Sequence, residues 1–246
     1  MQEIASFKTR DELIKALPVL HHQGAYPFFV LFSEADMSSA AMQIGWIYQS
    51  GLGIGDRDYY LKAENEDIRK AYVEMMDKQF SNSGYPELVN IPSNILAEMV
   101  MSTETKIAKE QIDKLLLRNP METFHKMSLA DAEKDAPNIH YGDYFKSFGL
   151  EVDTFNNAMP TYMKKVSDLL STEKIENLKA YYAWQVINGS AAYLSKNFVD
   201  ASFAFYSTTR SGVTQQRPRW KRVQNAVNGA MGEAVGQMYV TKYFPQ

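Results

Sequence analysis

The stretch Gly51 to Leu61, GLGIGDRDYYL, sets three alternating glycines beside two aspartates, an arginine and two tyrosines. A strand-like run, Ala41 to Tyr48, precedes it and a helix-like run, Ala63 to Phe80, follows. That is the order a phosphate cradle at a helix N-terminus requires. The charges oppose this chemistry: Asp56 and Asp58 would repel a nucleotide, and no Lys-Ser/Thr follows. The spacing is also Gly-x-Gly-x-Gly, not Gly-x-Gly-x-x-Gly. Calcium would need more oxygen ligands than two aspartates supply, and the EF-hand spacing is absent. What remains is a backbone device, in which glycines permit a tight turn, Asp56, Arg57 and Asp58 tie it by hydrogen bonds, and Tyr59 and Tyr60 anchor it.

The other chemistry-bearing residues are dispersed. The histidines are His21, His22, His125 and His140. None opens a His-Glu-x-x-His and no two lie four apart on a helix face, so local spacing gives no metal site. His21 and His22 read as a polar pair at a helix C-terminus. With no cysteine in the chain, thiolate catalysis, disulfides and Cys-based metal sites are excluded. No Gly-x-Ser-x-Gly elbow marks a serine, and the carboxylates are scattered over helix faces that solvent would cover. No catalytic residue is assigned. The one dense basic run, Arg217-Pro-Arg-Trp-Lys-Arg222, carries an aromatic that could stack on a base. Packing is the better account: Trp220 buried at a helix start, with Arg219, Lys221 and their neighbours paired to acids or snorkelling.

The elements that must hold these residues are mostly helical. Thr9 with Arg10, Asp11 and Glu12 reads as a capped start, followed by Leu13, Ile14, Leu17 and Leu20 on one face and a stop near His22 to Gly24. The period then changes: Pro27 to Phe32 and Ala41 to Tyr48 predict a β-hairpin turned by the polar link Ser33 to Ser39. From about Glu64 the pattern is helical almost to the end. Ile68, Tyr72, Met75, Met76 and Phe80 form one stripe; Ile95, Met99, Ile107, Ile112, Leu115 and Leu116 recur along a second stretch. Ser128 and Asp131 suggest a capping box before Pro137, and Pro160 opens a helix. Ser171 to Lys174 would cap the next helix, which carries Leu178, Tyr181, Tyr182, Trp184, Ile187 and Leu194. A long helix after Pro218 would turn Val223, Val227, Met231, Val235, Met238 and Tyr239 inward, with alanines and glycines permitting close approach. The expected fold is mainly α, a single multi-helical domain over 1–246 with one small β-hairpin near the N-terminus.

Composition agrees with a packed protein. Of 246 residues, 45% are hydrophobic and 13% aromatic, enough for a substantial core. A formal net charge of -3 supplies no field to draw in nucleic acid or an anionic membrane. No apolar run approaches the roughly 20 residues a membrane span needs. The opening MQEIASFKTRDEL has no basic-then-apolar signal pattern.

Taken in order, GLGIGDRDYYL, then Leu117 to Leu129 (LRNPMETFHKMSL), Pro218 to Arg222 (PRWKR) and Ala234 to Val240 (AVGQMYV) resemble successive landmarks of the neprilysin and endothelin-converting-enzyme family. The bacterial oligopeptidase O branch is the nearest resemblance, and it runs over essentially all 246 residues. Where the family pattern has leucine and proline, this chain has Ile54 and Gly55; Phe124, His125 and Ser128 replace Tyr, Asn and Thr. His125 is therefore expected to sit in a structural cap and not on a metal. Members are zinc endopeptidases whose His-Glu-x-x-His follows the Ala-Val-Gly-x-x-Tyr-Val landmark. The resemblance thus implies the non-catalytic, lid-like N-terminal domain, incomplete at both ends, with no cofactor of its own and zinc in the parent. It implies as partners the C-terminal catalytic domain and peptide substrates, and a parent exported in a bacterium, with a cytoplasmic one as the alternative. A stand-alone helical binding or scaffold protein is the competing function. On either reading Asp56, Arg57, Asp58, Tyr59 and Tyr60, with Arg219, Trp220 and Lys221, are structural.

Overall fold

In the computed structural model, which describes residues 1–244, helices carry most of the chain, as the apolar periodicity predicts. The first long one, Arg10–His22, begins with a complete capping box: Glu12 N donates to the Thr9 side chain and the Glu12 carboxylate accepts from Thr9 N. It buries Leu13, Leu17 and Leu20 and ends before Gly24, whose φ of +81° suits a residue without a Cβ.

The hairpin is present and longer than expected. Strands β1 (Phe29–Asp36) and β2 (Ser39–Gln49) pair antiparallel, with Phe32 opposite Trp46. The polar link shrinks to Met37 and Ser38, because Asp36 accepts from both the backbone N–H and the hydroxyl of Ser38 and closes the turn. Nor is the hairpin alone. Strand β3 (Lys126–Ser128) pairs antiparallel with β4 (Thr154–Asn157), and β4 runs parallel to β2, giving the order β1-β2-β4-β3. These strands of three and four residues are too short to show an alternating period, and Asn156 and Asn157 are polar yet buried.

On one side the sheet meets the Tyr141–Ser147 helix, where Phe145 stacks edge-on against Phe155 at 5.0 Å. Beyond the loop that leaves β2, the helices Glu66–Ser83, Ser93–Glu110 and Ile175–Ser190 pack on one another. Tyr72, Met75, Met76 and Phe80 point inward from the first; Leu178, Tyr181, Tyr182 and Trp184 from the last. Tyr72 and Trp184 meet edge-to-face at 5.8 Å, an arrangement worth about 1 kcal/mol beyond the area it buries. Pro160 opens the Pro160–Thr172 helix and Ser128 caps Leu129–Asp135, both as expected.

Three expectations fail. The buried face of Ser93–Glu110 is Leu96, Val100, Thr103, Glu104 and Ile107, whereas Ile95, Leu115 and Leu116 are exposed; the polar pair Thr103 and Glu104 hid the true stripe. Ser171 and Thr172 do not cap the following helix, since both hydroxyls bond back to the Asp168 carbonyl. Helix Arg219–Tyr243 does follow Pro218, but it is kinked at Met231 and none of its residues is buried. Val223, Val227, Met231, Met238 and Tyr239, expected inward, stand in solvent.

Candidate functional site

The glycine loop lies where β2 passes into the helices, and its geometry answers the phosphate question. A Cβ on Gly53 would fall 1.8 Å from the Tyr72 hydroxyl; one on Gly51 would fall 2.1 Å from the Tyr181 hydroxyl and 2.5 Å from Phe28 N. Gly51 and Gly55 also have φ near +90°, a region side chains avoid. The glycines therefore make room for protein groups.

Several backbone groups of the loop have side-chain partners. Gly51 O accepts from the Tyr181 hydroxyl at 2.9 Å and from Gln185 at 3.1 Å. Ser50 O accepts from Gln111 at 2.8 Å, and Gly53 O from the Tyr206 hydroxyl at 3.0 Å. Ile54 N donates to the Tyr60 hydroxyl at 3.0 Å. Phe28, at φ +66°, is fixed against the loop: its N–H donates to Tyr181 at 3.1 Å and its carbonyl accepts from Tyr162 at 2.6 Å.

At the centre is Glu104, fully buried, with no cation paired to it among the described residues. Its Oε2 accepts from Tyr60 at 2.6 Å; its Oε1 accepts from Tyr72 at 3.2 Å and from Gly53 N at 3.3 Å. Trp184 Nε1 in turn donates to the Tyr72 oxygen at 2.8 Å. Burial pushes the Glu104 carboxyl up to about 7, against the pull of the donors from Tyr60, Tyr72 and Gly53. The same burial, with Glu104 alongside, drives the Tyr60 and Tyr72 hydroxyls well above their ordinary value. The arrangement is a proton-sensitive knot that holds backbone.

The motif residues surround this knot. Asp56 accepts from Asp58 N at 2.9 Å and pairs with Lys114 at 2.7 Å; Asp58 pairs with Lys62 at 2.9 Å. Partial burial works against the Asp56 carboxylate, but Lys114 and the Asp58 amide hold it below its usual range. The Arg57 guanidinium donates to the Gln111 carbonyl, which joins the loop to the end of Ser93–Glu110. Tyr60 is buried, whereas Tyr59 is half-buried beneath Arg210, 5.0 Å from its ring centre.

The remaining candidates do not join them. Trp220 is 63% exposed, not buried, with Lys221 over its own indole at 5.3 Å. Arg219 and Lys221 have no carboxylate partner among the described residues. His21 is buried, where its Nε2 faces the Pro27 carbonyl at 3.2 Å and its Nδ1 the Tyr144 hydroxyl at 2.6 Å. The carbonyl can only accept, so Nε2 carries the proton and Nδ1 accepts from Tyr144. Burial lowers His21 to about 4, which makes it a neutral core group and not a cationic helix cap. His22 stacks on Phe148, His125 lies beside the Ala158 carbonyl, and His140 is exposed at φ +55°. Among the described residues no cluster of three His, Asp or Glu side chains could hold a metal.

Sequence reasoning missed Glu104, Tyr162 and Tyr206, and placed Tyr72 and Tyr181 on buried stripes without the hydroxyl bonds they make. A usable signal existed for the first: Glu104 lies four residues after Val100 and three before Ile107, an acid in the middle of an apolar face.

The fold is thus a mainly helical unit with a small mixed sheet, tied together at the glycine loop by a buried hydrogen-bonded cluster. The family model described as Peptidase family M13 matches residues 1–246, and the chain belongs to that family, to its N-terminal domain. Endothelin-converting enzyme 1 of Bos taurus is 26% identical over 235 residues, covering 93% of this chain and 31% of that protein. Neprilysin-11 of Caenorhabditis elegans is 24% identical, covering 91% and 28%. Among solved structures, the Mycobacterium tuberculosis zinc metalloprotease Zmp1 in its open state superposes with a TM-score of 0.89 at 25% identity, over 98% of this chain and 38% of that one. PepO of Lactobacillus rhamnosis shares the fold, with a TM-score of 0.77 at 20% identity over 98% and 38%. The chain thus spans about a third of the length of the relatives it matches. No described helix is long and apolar enough to cross a membrane.

Proposed function

We propose that residues 1–246 form most of the non-catalytic N-terminal domain of a neprilysin-like zinc metalloendopeptidase. On this reading the domain covers the peptide-binding cavity and restricts the size of substrates, while zinc and its ligands belong to a C-terminal catalytic part. The observation that carries the reading is the Zmp1 superposition, which takes in 98% of this chain and leaves the greater part of that metalloprotease outside it. A second feature supports the catalytic part as partner: the exposed apolar residues along Arg219–Tyr243 form an unpartnered surface of the kind found at interfaces. The glycine-loop knot, with Asp56, Arg57, Asp58, Tyr59 and Tyr60, then fixes the angle between sheet and helices. We extend the reading to a parent that acts outside the cytoplasm, a setting compatible with a chain free of cysteine.

The test is hydrolysis of a mixed set of quenched-fluorescent peptides by the purified chain, with zinc and with a chelator. No turnover is expected in either condition, and turnover is expected only when the catalytic part is present. Chelator-sensitive hydrolysis by the chain alone would overturn the assignment, since the metal site would then be built from these residues.

A further inference from the structure

A cavity of about 450 Å³ opens on the far side of the glycine loop, between the Lys196–Ser202 helix, the π-helical segment Phe203–Thr209 and the chain from Val213 to Arg222. Its floor is apolar: Val199 is buried, and Phe203, Tyr206 and Val213 complete the wall. The wide π turn brings Phe203, Tyr206 and Ser207 to the same side. Tyr206 is also tied down, its hydroxyl bonding Gly53 O at 3.0 Å and Asn188 at 3.1 Å, so this wall is rigid.

The rim carries a different chemistry. Arg217 and Arg222 both line the opening, and Arg222 Nε donates to the Arg217 carbonyl at 3.2 Å, which orients that guanidinium. Neither arginine forms an ion pair among the described residues, and no carboxylate lines the cavity. Ser207 and Gln216 also line the cavity, with side chains that make no hydrogen bond among the described residues.

We propose that this cavity binds the carboxy-terminal end of an apolar peptide, with the terminal side chain on Val199, Phe203 and Val213 and the terminal carboxylate on Arg222 and Arg217. Two planar guanidinium forks without acids of their own match a carboxylate bidentately. The volume suits one or two residues. The amide of Gln216 and the hydroxyl of Ser207 favour a peptide over a fatty acid, because only a peptide offers backbone groups for them to bond. The proposal concerns binding by this chain alone and does not depend on hydrolysis by any parent.

The experiment is calorimetric titration of the 246-residue chain with an N-acetylated tetrapeptide ending in leucine, its C-terminal amide, and decanoate. The free acid should bind saturably at one site, and the amide about tenfold or more weaker, the usual loss when a charge-assisted pair is removed. Arg222→Gln should weaken the free acid to a similar extent, while Lys221→Gln, on the same run but outside the cavity, should leave it unchanged. Equal binding of acid and amide would overturn carboxylate recognition. Equal loss in Lys221→Gln would reduce the effect to general surface charge. Decanoate matching the peptide would replace the peptide with a lipid chain as ligand, and no saturable binding would remove the site.

Discussion

Replacing Glu104 by glutamine isolates the proton sensitivity of the knot. The native carboxyl sits near 7 against an ordinary 4.5. An acid raised in the folded state contributes stability that is whole below its unfolded value and lost as pH rises through the native one. Moving from 4.5 to about 7 corresponds to about 3 kcal/mol, lost across that pH range. His21 works in the opposite sense. Buried and neutral near 4 against an ordinary 6.5, it contributes about 3 kcal/mol that is present above pH 6.5 and lost as pH falls toward 4. Between about pH 4.5 and 6.5 the two slopes oppose each other, so their joint contribution to the wild-type curve is nearly flat.

Glu104→Gln leaves the His21 slope unopposed. Urea unfolding followed by circular dichroism at steps from pH 4.5 to 7.5 should show the variant gaining on the wild type by about 3 kcal/mol across the interval. A constant offset underlies this gain. The Tyr60 and Tyr72 hydroxyls both donate toward Glu104 while accepting from Ile54 N and Trp184. A glutamine amide facing either one sets donor against donor, at about 1–3 kcal/mol independent of pH. Groups common to both proteins cancel in the difference. A difference that stays flat over the whole range would refute the reasoning, for it would mean that the three donors keep Glu104 ionised despite its burial.

Three further outcomes follow from the same geometry. Gly53→Ala should lower stability by about 1–3 kcal/mol in urea unfolding, since the added methyl overlaps the buried Tyr72 hydroxyl; an unchanged midpoint would show that the knot yields. Arg57→Glu should destabilise the chain by breaking the bond to the Gln111 carbonyl and crowding Asp56 and Asp58 with a third acid. In the parent enzyme proposed above, the same variant should retain turnover at temperatures where it is folded, and unchanged melting with lost turnover would contradict a structural role. Asp36 is held near 2 by the Lys126 ammonium and by Ser38, so Asp36→Asn should be less stable than wild type at neutral pH. That deficit should shrink as pH falls from about 4 through 2; a deficit independent of pH would assign it to the lost Ser38 turn alone.

How much of this was legible in the sequence depends on whether a feature repeats. The Thr9 cap, the Pro160 start and the Tyr72 to Phe80 stripe each obey a local spacing rule, and each is where the rule puts it. The acidic character of the glycine loop was also readable, from Asp56 and Asp58. The partners of that loop were not, because Tyr162, Tyr181 and Tyr206 lie more than a hundred residues along the chain from the backbone groups they bind. Glu104 shows why such sites resist reading from sequence. A carboxylate on an apolar face breaks the stripe that would reveal the face, and so conceals both itself and the helix orientation that buries it. The Arg219–Tyr243 helix fails in the opposite way: its apolar spacing is plain, yet spacing shows which residues share a side and not what covers them. Trp220 follows from this. The expectation of burial assumed that an apolar face must find its partner within the same 246 residues, whereas in a family whose relatives run about three times as long the partner can lie in another part of the protein.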